Sequence, residues 1–306
     1  MRTEGFAITR KASATSWRLD GRLPAIALML PPALLLFTVF VILPLIDAGY
    51  YSFFKWNGYG SPTDFVGLQN YIQVLDHPVF YRSLLNTMII LVVSFVVQMP
   101  LALGLALLIY RKTPTNTFFR MVFFIPFILA EIASGLIWSF VFDGNVGLAA
   151  GLFRSLGLEP VFVLADKNWA FVAITVVVVW KYFGFHMMIY IAALQSVPEE
   201  LIEAAKIEGA GRGAIARYVL IPQIKSALVV SGFFAVAGSL QLFDVVIPLT
   251  NGGPSNSTHT IVSYLYTFGL LRFRMGYGSA VGVLLFIAAV TVAVVYQTQL
   301  NREARR

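Results

Sequence analysis

The chain has 306 residues, of which 58% are hydrophobic and only 12% are charged, and its formal net charge is +7. Soluble domains carry roughly 25% charged residues, so a mean hydropathy of +0.78 excludes an ordinary soluble domain and places the chain in the membrane class. The absence of cysteine excludes a disulfide framework and a thiolate metal site.

Apolar runs of about 20 residues cross a hydrocarbon core of roughly 30 Å as helices. Six such runs follow one another at about 24–46, 84–110, 118–142, 169–194, 226–249 and 277–296. They predict an all-α membrane protein with six transmembrane helices over residues 24–300, a short arm at 1–23 and a tail at 301–306. The first run follows basic residues Arg2, Arg10, Lys11, Arg18 and Arg22, as a secretory signal does. It is longer than a signal core and no small-x-small cleavage site follows, so an uncleaved first span is expected.

Six spans put both termini on one side, together with the loops near 111–117 and 195–225. Of the 22 Lys and Arg residues, fifteen fall on that side, six on the other, and one, Lys181, within a span. The positive-inside bias therefore places both termini in the cytoplasm. The positive charge then belongs to lipid headgroup attraction, and no basic-aromatic nucleic-acid motif accompanies it.

The third and fourth spans carry Glu131 and Lys181 near their middles. An ionisable group there costs roughly 2.5–3.5 kcal/mol on insertion scales. Matched depths on antiparallel spans predict an ion pair facing protein or an aqueous cavity; a pair that only locks two helices, or a lysine snorkelling to an interface, are the alternatives. In "WKYFGFHMMIY", Gly184 admits close backbone approach, and Tyr182, Phe183 and His186 border a candidate pocket. His186 has no second His at i+4, and His77 and His259 fall in separate outer loops, so no zinc site is expected. Met187 and Met188 read as packing residues. Ser94, Ser134, Ser139 and His186 show no spacing that makes a nucleophile and base, so an enzyme is not expected.

Between spans four and five lies "EELIEAAKIEGAGRGAIARYVLIP", residues 199–222, a polar stretch flanked by two long apolar ones. Ser196 and Glu199 have capping-box spacing, Pro198 suits a first turn, and Glu199, Glu200 and Glu203 complement a helix N-terminus. Gly209, Gly211 and Gly213 predict a turn before a second short helix from about Ala214 to Leu220, limited by Pro222. The expected result is a compact helix-turn-helix outside the membrane. A plain connector between spans is the alternative.

The fifth span ends in "GSLQLFDVVIPLTNGGP". Ser239, Gln241 and Asp244 can hydrogen-bond the hydroxyls of a ligand and Phe243 can stack on its apolar face, which favours a neutral polyol over an anion. Interhelical hydrogen bonding is the alternative role for Ser239 and Gln241. The outer segments 47–82 and 251–276, rich in Gly, Asn, Ser and Tyr, suit docking of a partner and equally suit plain loops.

The residues Glu203-Ala204-Ala205, then Gly209, then Val219-x-Ile221-Pro222 resemble the E-A-A-x3-G-x9-I-x-L-P motif of permease subunits of bacterial ABC importers, with Val and Ile in place of Ile and Leu. "FVGLQNY" at 65–71, "LQSVPEEL" at 194–201 and "LTNGGP" at 249–254 are similar to the carbohydrate-uptake class, of the maltose-transporter first-permease type. The resemblance covers about residues 24–300. It implies that 196–222 is the coupling loop, with Glu203, Ala204, Ala205, Gly209, Ala210 and Pro222 facing or shaping contact with a cytoplasmic ATPase. It further implies a second related permease, two ATPase subunits and an extracytoplasmic sugar-binding protein as partners, in a bacterial cytoplasmic membrane. The same class admits glycerol-phosphate uptake.

No G-x-x-x-x-G-K-[ST] loop occurs. The chain is therefore expected to bind no cofactor of its own, with ATP and Mg held by the partner ATPase subunits. A secondary transporter, which would need no such partner, shows inverted repeats with broken helices; no clear repeat is visible, and that reading leaves the polar loop unexplained.

Overall fold

The computed structural model describes residues 22–303. Residues 1–21 of the expected arm and 304–306 of the tail lie outside the described residues. The chain divides into two compact units, Met1–Asp47 and Ala48–Arg306. The first holds most of an apolar helix, α1 (Ile26–Tyr51), which passes through Pro31 and Pro32 and then a π turn at Thr38–Ile42.

The second unit is built from α2 (Gln69–Leu75), α3 (Pro78–Ile109), α4 (Pro114–Ile128), α5 (Glu131–Val141), α6 (Leu148–Ser155), α7 (Lys167–Leu194), α8 (Glu199–Ile207), α9 (Arg212–Gln223), α10 (Lys225–Gln241), α11 (Val246–Thr250), α12 (Ile261–Leu270) and α13 (Met275–Glu303). Among the described residues the only β pairing is an isolated bridge between Phe54 and Phe65. Helices α1, α3, α7 and α13 are each long and apolar enough to cross a bilayer, and the number reaches six if the bent pairs α4–α5 and α9–α10 each count as one span.

Two apolar runs that read as straight spans are broken. The run 118–142 turns by 96° between α4 and α5, where Leu129 and Ala130 leave the helical region with ψ of 141° and 138°. The run 226–249 stops at Leu242, whose ψ is 114°, before α11 resumes at Val246. Hydropathy reports only that a segment is apolar, and an apolar segment can bend wherever its freed main-chain groups find partners. Elsewhere α3 starts at Pro78, ahead of the apolar run, because proline is suited to the first helical positions.

Helix α7 forms the centre of the second unit. Toward its start, Phe171, Ile174, Val177 and Val178 join Ile90, Leu242, Val245 and Val246 in one core; toward its end, Met187, Tyr190, Ile191 and Leu194 join Ala102, Ala106 and Ile109 of α3 in another. Its N-terminus is capped by Asp166, whose carboxylate accepts from the amides of Trp169 at 3.0 Å and Asn168 at 2.8 Å. Those two amides, Trp169 first, hold the Asp166 carboxyl below its ordinary value of 3.8. At Gly184, α7 meets the main chain of α4: a β-carbon there would lie 2.1 Å from the Phe123 carbonyl oxygen.

Two outcomes follow from this packing. Gly184→Ala should force α4 and α7 apart, at a cost of about 1–3 kcal/mol, and lower the thermal midpoint of the purified protein by several degrees; Gly104→Ala, with open space around it, should not. The Asp166 cap should be intact above pH 3.8 and lost as pH falls through the lowered value, which amide hydrogen exchange at Trp169 would follow as faster exchange than the intrinsic acid dependence.

Candidate functional site

The polar stretch 199–222 folds as two short helices seated on the ends of α3 and α7. Ile202, Ile215, Leu220 and Ile224 are buried in the core formed by Ile109, Tyr190 and Leu194. Gln195 donates to the Tyr110 carbonyl at 2.8 Å, and the Arg120 guanidinium serves the carbonyls of Ile109 and Arg111, so the α3–α4 turn is tied to the same platform. This is a supported surface and not a loose connector.

Helix α8 ends in a Schellman motif, with the Gly209 amide donating to Lys206 at 3.0 Å and the Ala210 amide to Ala205 at 2.9 Å. Gly209 sits at φ 84°, which explains glycine there. The expected roles of its neighbours differ. Gly211 is extended and Gly213 lies inside α9, which starts at Arg212 and reaches Gln223 through a π turn at Ala216–Leu220. Pro222 is exposed and accommodated within α9; it does not stop the helix at Leu220.

The capping box is absent: Pro198 is the N-cap, and the Ser196 hydroxyl donates backward to Ala193 at 2.8 Å. That local bond is available to any Ser near a helix end, so spacing alone does not decide the partner.

Of the paired alanines, Ala204 faces outward beside Glu203, while Ala205, like Ala210, packs on the core. Two apolar side chains nearby in the sequence are also exposed, Ile207 of α8 at 87% and Tyr218 of α9 at 72%. Neither stood out in the sequence, because nothing local distinguishes an outward Ile from an inward one. Glu203 also borders a groove of about 420 Å³ with Arg111, Lys112 and Lys206.

The second group of candidates surrounds the break between α4 and α5. Lys181 is 1% exposed and donates to the carbonyls of Leu129 at 2.6 Å and Pro126 at 3.4 Å, and to the Ser134 hydroxyl at 3.3 Å. Glu131 instead accepts from the Tyr182 hydroxyl at 2.8 Å. The expected Glu131–Lys181 ion pair is therefore not formed. The helix break offers the ammonium main-chain carbonyls that have lost their own donors, and these hold it in place of the carboxylate.

Beyond Tyr182, α3, α7 and α10 enclose a cleft of about 460 Å³. Ser239 and Gln241 line it together with Tyr182 and His186. Ser239 donates to the Ala235 carbonyl of its own helix at 2.8 Å. Phe243 and Asp244 lie outside the cleft lining, in the break after α10, with the Phe243 ring edge-on to Tyr266 at 5.0 Å. Gly184 sits at the α4–α7 contact, behind the cleft. The His186 ring meets the Ser231 hydroxyl at 2.6 Å, and that hydroxyl also meets Tyr190 at 2.7 Å, a structural tie between α7 and α10.

Residues 98–306 match the sequence model of the family described as "Binding-protein-dependent transport system inner membrane component". The chain belongs to this family. The permease is 33% identical over 286 residues to the sulfoquinovosyl glycerol transport system permease protein SmoG of Agrobacterium fabrum, covering 92% of each chain. It is 30% identical over 269 residues to the trehalose/maltose transport system permease protein MalF of Thermococcus litoralis, covering 88% of this chain and 91% of that one. Its fold matches a chain in the crystal structure of a bacterial ABC transporter involved in the import of the acidic polysaccharide alginate, with a TM-score of 0.82 at 21% identity, covering 94% of this chain and 98% of that one. It is thus a multi-pass inner membrane component of the carbohydrate-importer type, a transport subunit and not an enzyme.

The geometry at the break separates the two charged residues by role. Lys181→Met leaves two carbonyls without a donor in apolar surroundings, about 1–3 kcal/mol for each, and should cut substrate uptake by the reconstituted permease complex at least tenfold. Glu131→Gln keeps an acceptor for Tyr182 and should stay within about threefold of wild type. The exchange Glu131→Lys with Lys181→Glu should recover nothing, because a carboxylate at position 181 cannot donate to Leu129.

Proposed function

We propose that the permease moves an uncharged sugar, a di- or oligosaccharide or a related polyol, from an extracytoplasmic binding protein into the cytoplasm by alternating access. In this reading it pairs with a second related permease, and two separate ATPase subunits bind and hydrolyse ATP with Mg. The observation that carries it is the outward face of α8 and α9, with Glu203, Ala204, Ile207 and Tyr218 on a platform shared with α7. An exposed Ile and Tyr beside an acid that can pair with a partner Arg or Lys make a docking surface.

That face supports a pathway for force. Pressure on α8 bears on Ile202, Ile215 and Leu220, these bear on Tyr190 and Leu194 of α7, and α7 carries Lys181, which holds the break in the α4–α5 span. Displacement of the docking face then reaches the break and the cleft without crossing a loose linker. Arg111, Lys112, Lys206, Arg212 and Arg217 gather at this end, which supports placing it, with both termini, in the cytoplasm.

Among the described residues lining the cleft there is no Lys, Arg, Asp or Glu. A phosphate or carboxylate would enter without a counter-charge, so the lining supports a neutral sugar over glycerol phosphate. Trehalose or maltose, named for the Thermococcus relative, fits the lining better than an acidic polysaccharide.

ATPase activity of the reconstituted complex tests the reading, with the cognate binding protein presented empty or with maltose, trehalose or sulfoquinovosyl glycerol. Neutral-sugar-loaded binding protein should stimulate the wild type severalfold, and Glu203→Arg or Ile207→Asp should remove the stimulation or dissociate the ATPase. Uptake by this chain alone, indifferent to ATP and to Glu203→Arg, would replace the importer with a secondary transporter.

A further inference from the structure

The cleft holds a polar group that none of the roles above uses. Gln98 ends the π turn Ser94–Gln98 within α3, and both residues line the cleft. The Gln98 side chain is 2% exposed, and its Oε1 has no hydrogen-bond partner. A buried acceptor without a donor is costly and rare enough to need a cause. A π turn inserted in an otherwise regular helix shifts the register of the side chains that follow, and such turns concentrate at functional sites.

The surroundings define what would complete it. Phe127, Phe185 and Phe234 also line the cleft; Phe127 and Phe185 stack at 4.7 Å and 20°, and Phe234 meets Phe185 edge-on at 5.3 Å. The negative faces of these rings attract the C–H groups of an apolar sugar face. Tyr182 and His186 are already engaged, with Glu131 and Ser231 respectively. Gln98 is thus a buried acceptor in an uncharged cleft whose lining also carries an aromatic cluster. A cleft of about 460 Å³ falls within the roughly 300–1,000 Å³ of small-molecule sites.

We propose that Gln98 contacts the transported sugar: its Oε1 accepts a hydrogen bond from a sugar hydroxyl whose ring lies against Phe127, Phe185 and Phe234. The proposal deepens the sugar-importer reading and rests on it. It names a neutral hydroxyl donor as the occupant, because an anionic oxygen would meet an acceptor and no cation.

The chain has no cysteine, so Gln98→Cys supplies its single thiol. The experiment uses the whole complex in lipid nanodiscs, with partner permease, ATPases and cognate binding protein, at one fixed nucleotide condition. The rate at which a small methanethiosulfonate reagent modifies this chain is read by mass, with maltose or trehalose on the binding protein and without. The expected result is at least fivefold slower modification with sugar, and at least tenfold lower uptake in Gln98→Leu complexes that assemble at wild-type stoichiometry.

Equal modification rates with and without sugar, or wild-type uptake by Gln98→Leu, would overturn the proposal and leave the importer reading standing. Protection on assembly with the partner permease that does not change with sugar would also overturn it, by assigning Gln98 to a subunit contact. Uptake of sugar by this chain alone, indifferent to ATP, overturns the parent reading and this one with it, and that result is in hand before any variant is made.

Discussion

A main-chain carbonyl freed inside an apolar medium must find a donor from the protein, because lipid supplies none. Two breaks in the spans create such carbonyls, and a side chain from a neighbouring element answers each. Lys181 of α7 serves Leu129 and Pro126 where α4 turns into α5. The Thr260 hydroxyl serves Leu242 at 2.5 Å where α10 gives way to α11. With these bonds made, a bend that would otherwise be prohibitive becomes a defined corner, and the cleft between α3, α7 and α10 lies beside it. Gly184, one turn along α7 from Lys181, lets the two main chains come close enough for the ammonium to reach.

Helix α7 therefore joins two ends of the molecule that composition keeps apart. Its later residues pack with α8 and α9 through Tyr190 and Leu194, and its middle holds the broken span. Close-packed interiors transmit displacement where loose loops absorb it. The exposed face of α8 and α9 and the corner between α4 and α5 are thus connected through one packed helix. The Ser231 hydroxyl, shared by His186 and Tyr190, extends the same connection to α10, which forms the opposite wall of the cleft.

Much of this was legible before the fold. Six apolar runs gave the span number, because apolar length is itself the requirement for crossing a bilayer. The turn at Gly209 was legible because a left-handed φ of 84° selects glycine locally. Ser239, Gln241 and Tyr182 stood out as candidates because polar groups within spans are conspicuous, and they line the cleft; Glu131, Lys181 and Asp244 stood out for the same reason and lie off it. Gln98 was equally polar, yet it sat where an amide could as well have bonded a neighbouring helix, and only its empty Oε1 distinguishes it. Ile207 was unremarkable in a chain full of isoleucine until its exposure was known.

The sequence by itself determined the membrane class, the number of spans, and the polar loop with its helix-turn-helix character. These are properties of composition, period and local backbone preference, and each is settled within a few tens of residues. Tertiary structure alone decided that the third and fifth apolar runs break, that Lys181 binds carbonyls and leaves Glu131 to Tyr182, and which face of α8 looks outward. Each of those depends on which groups meet across separate helices. A buried ammonium takes whichever acceptors the packing leaves unserved, and no spacing along one chain records that competition.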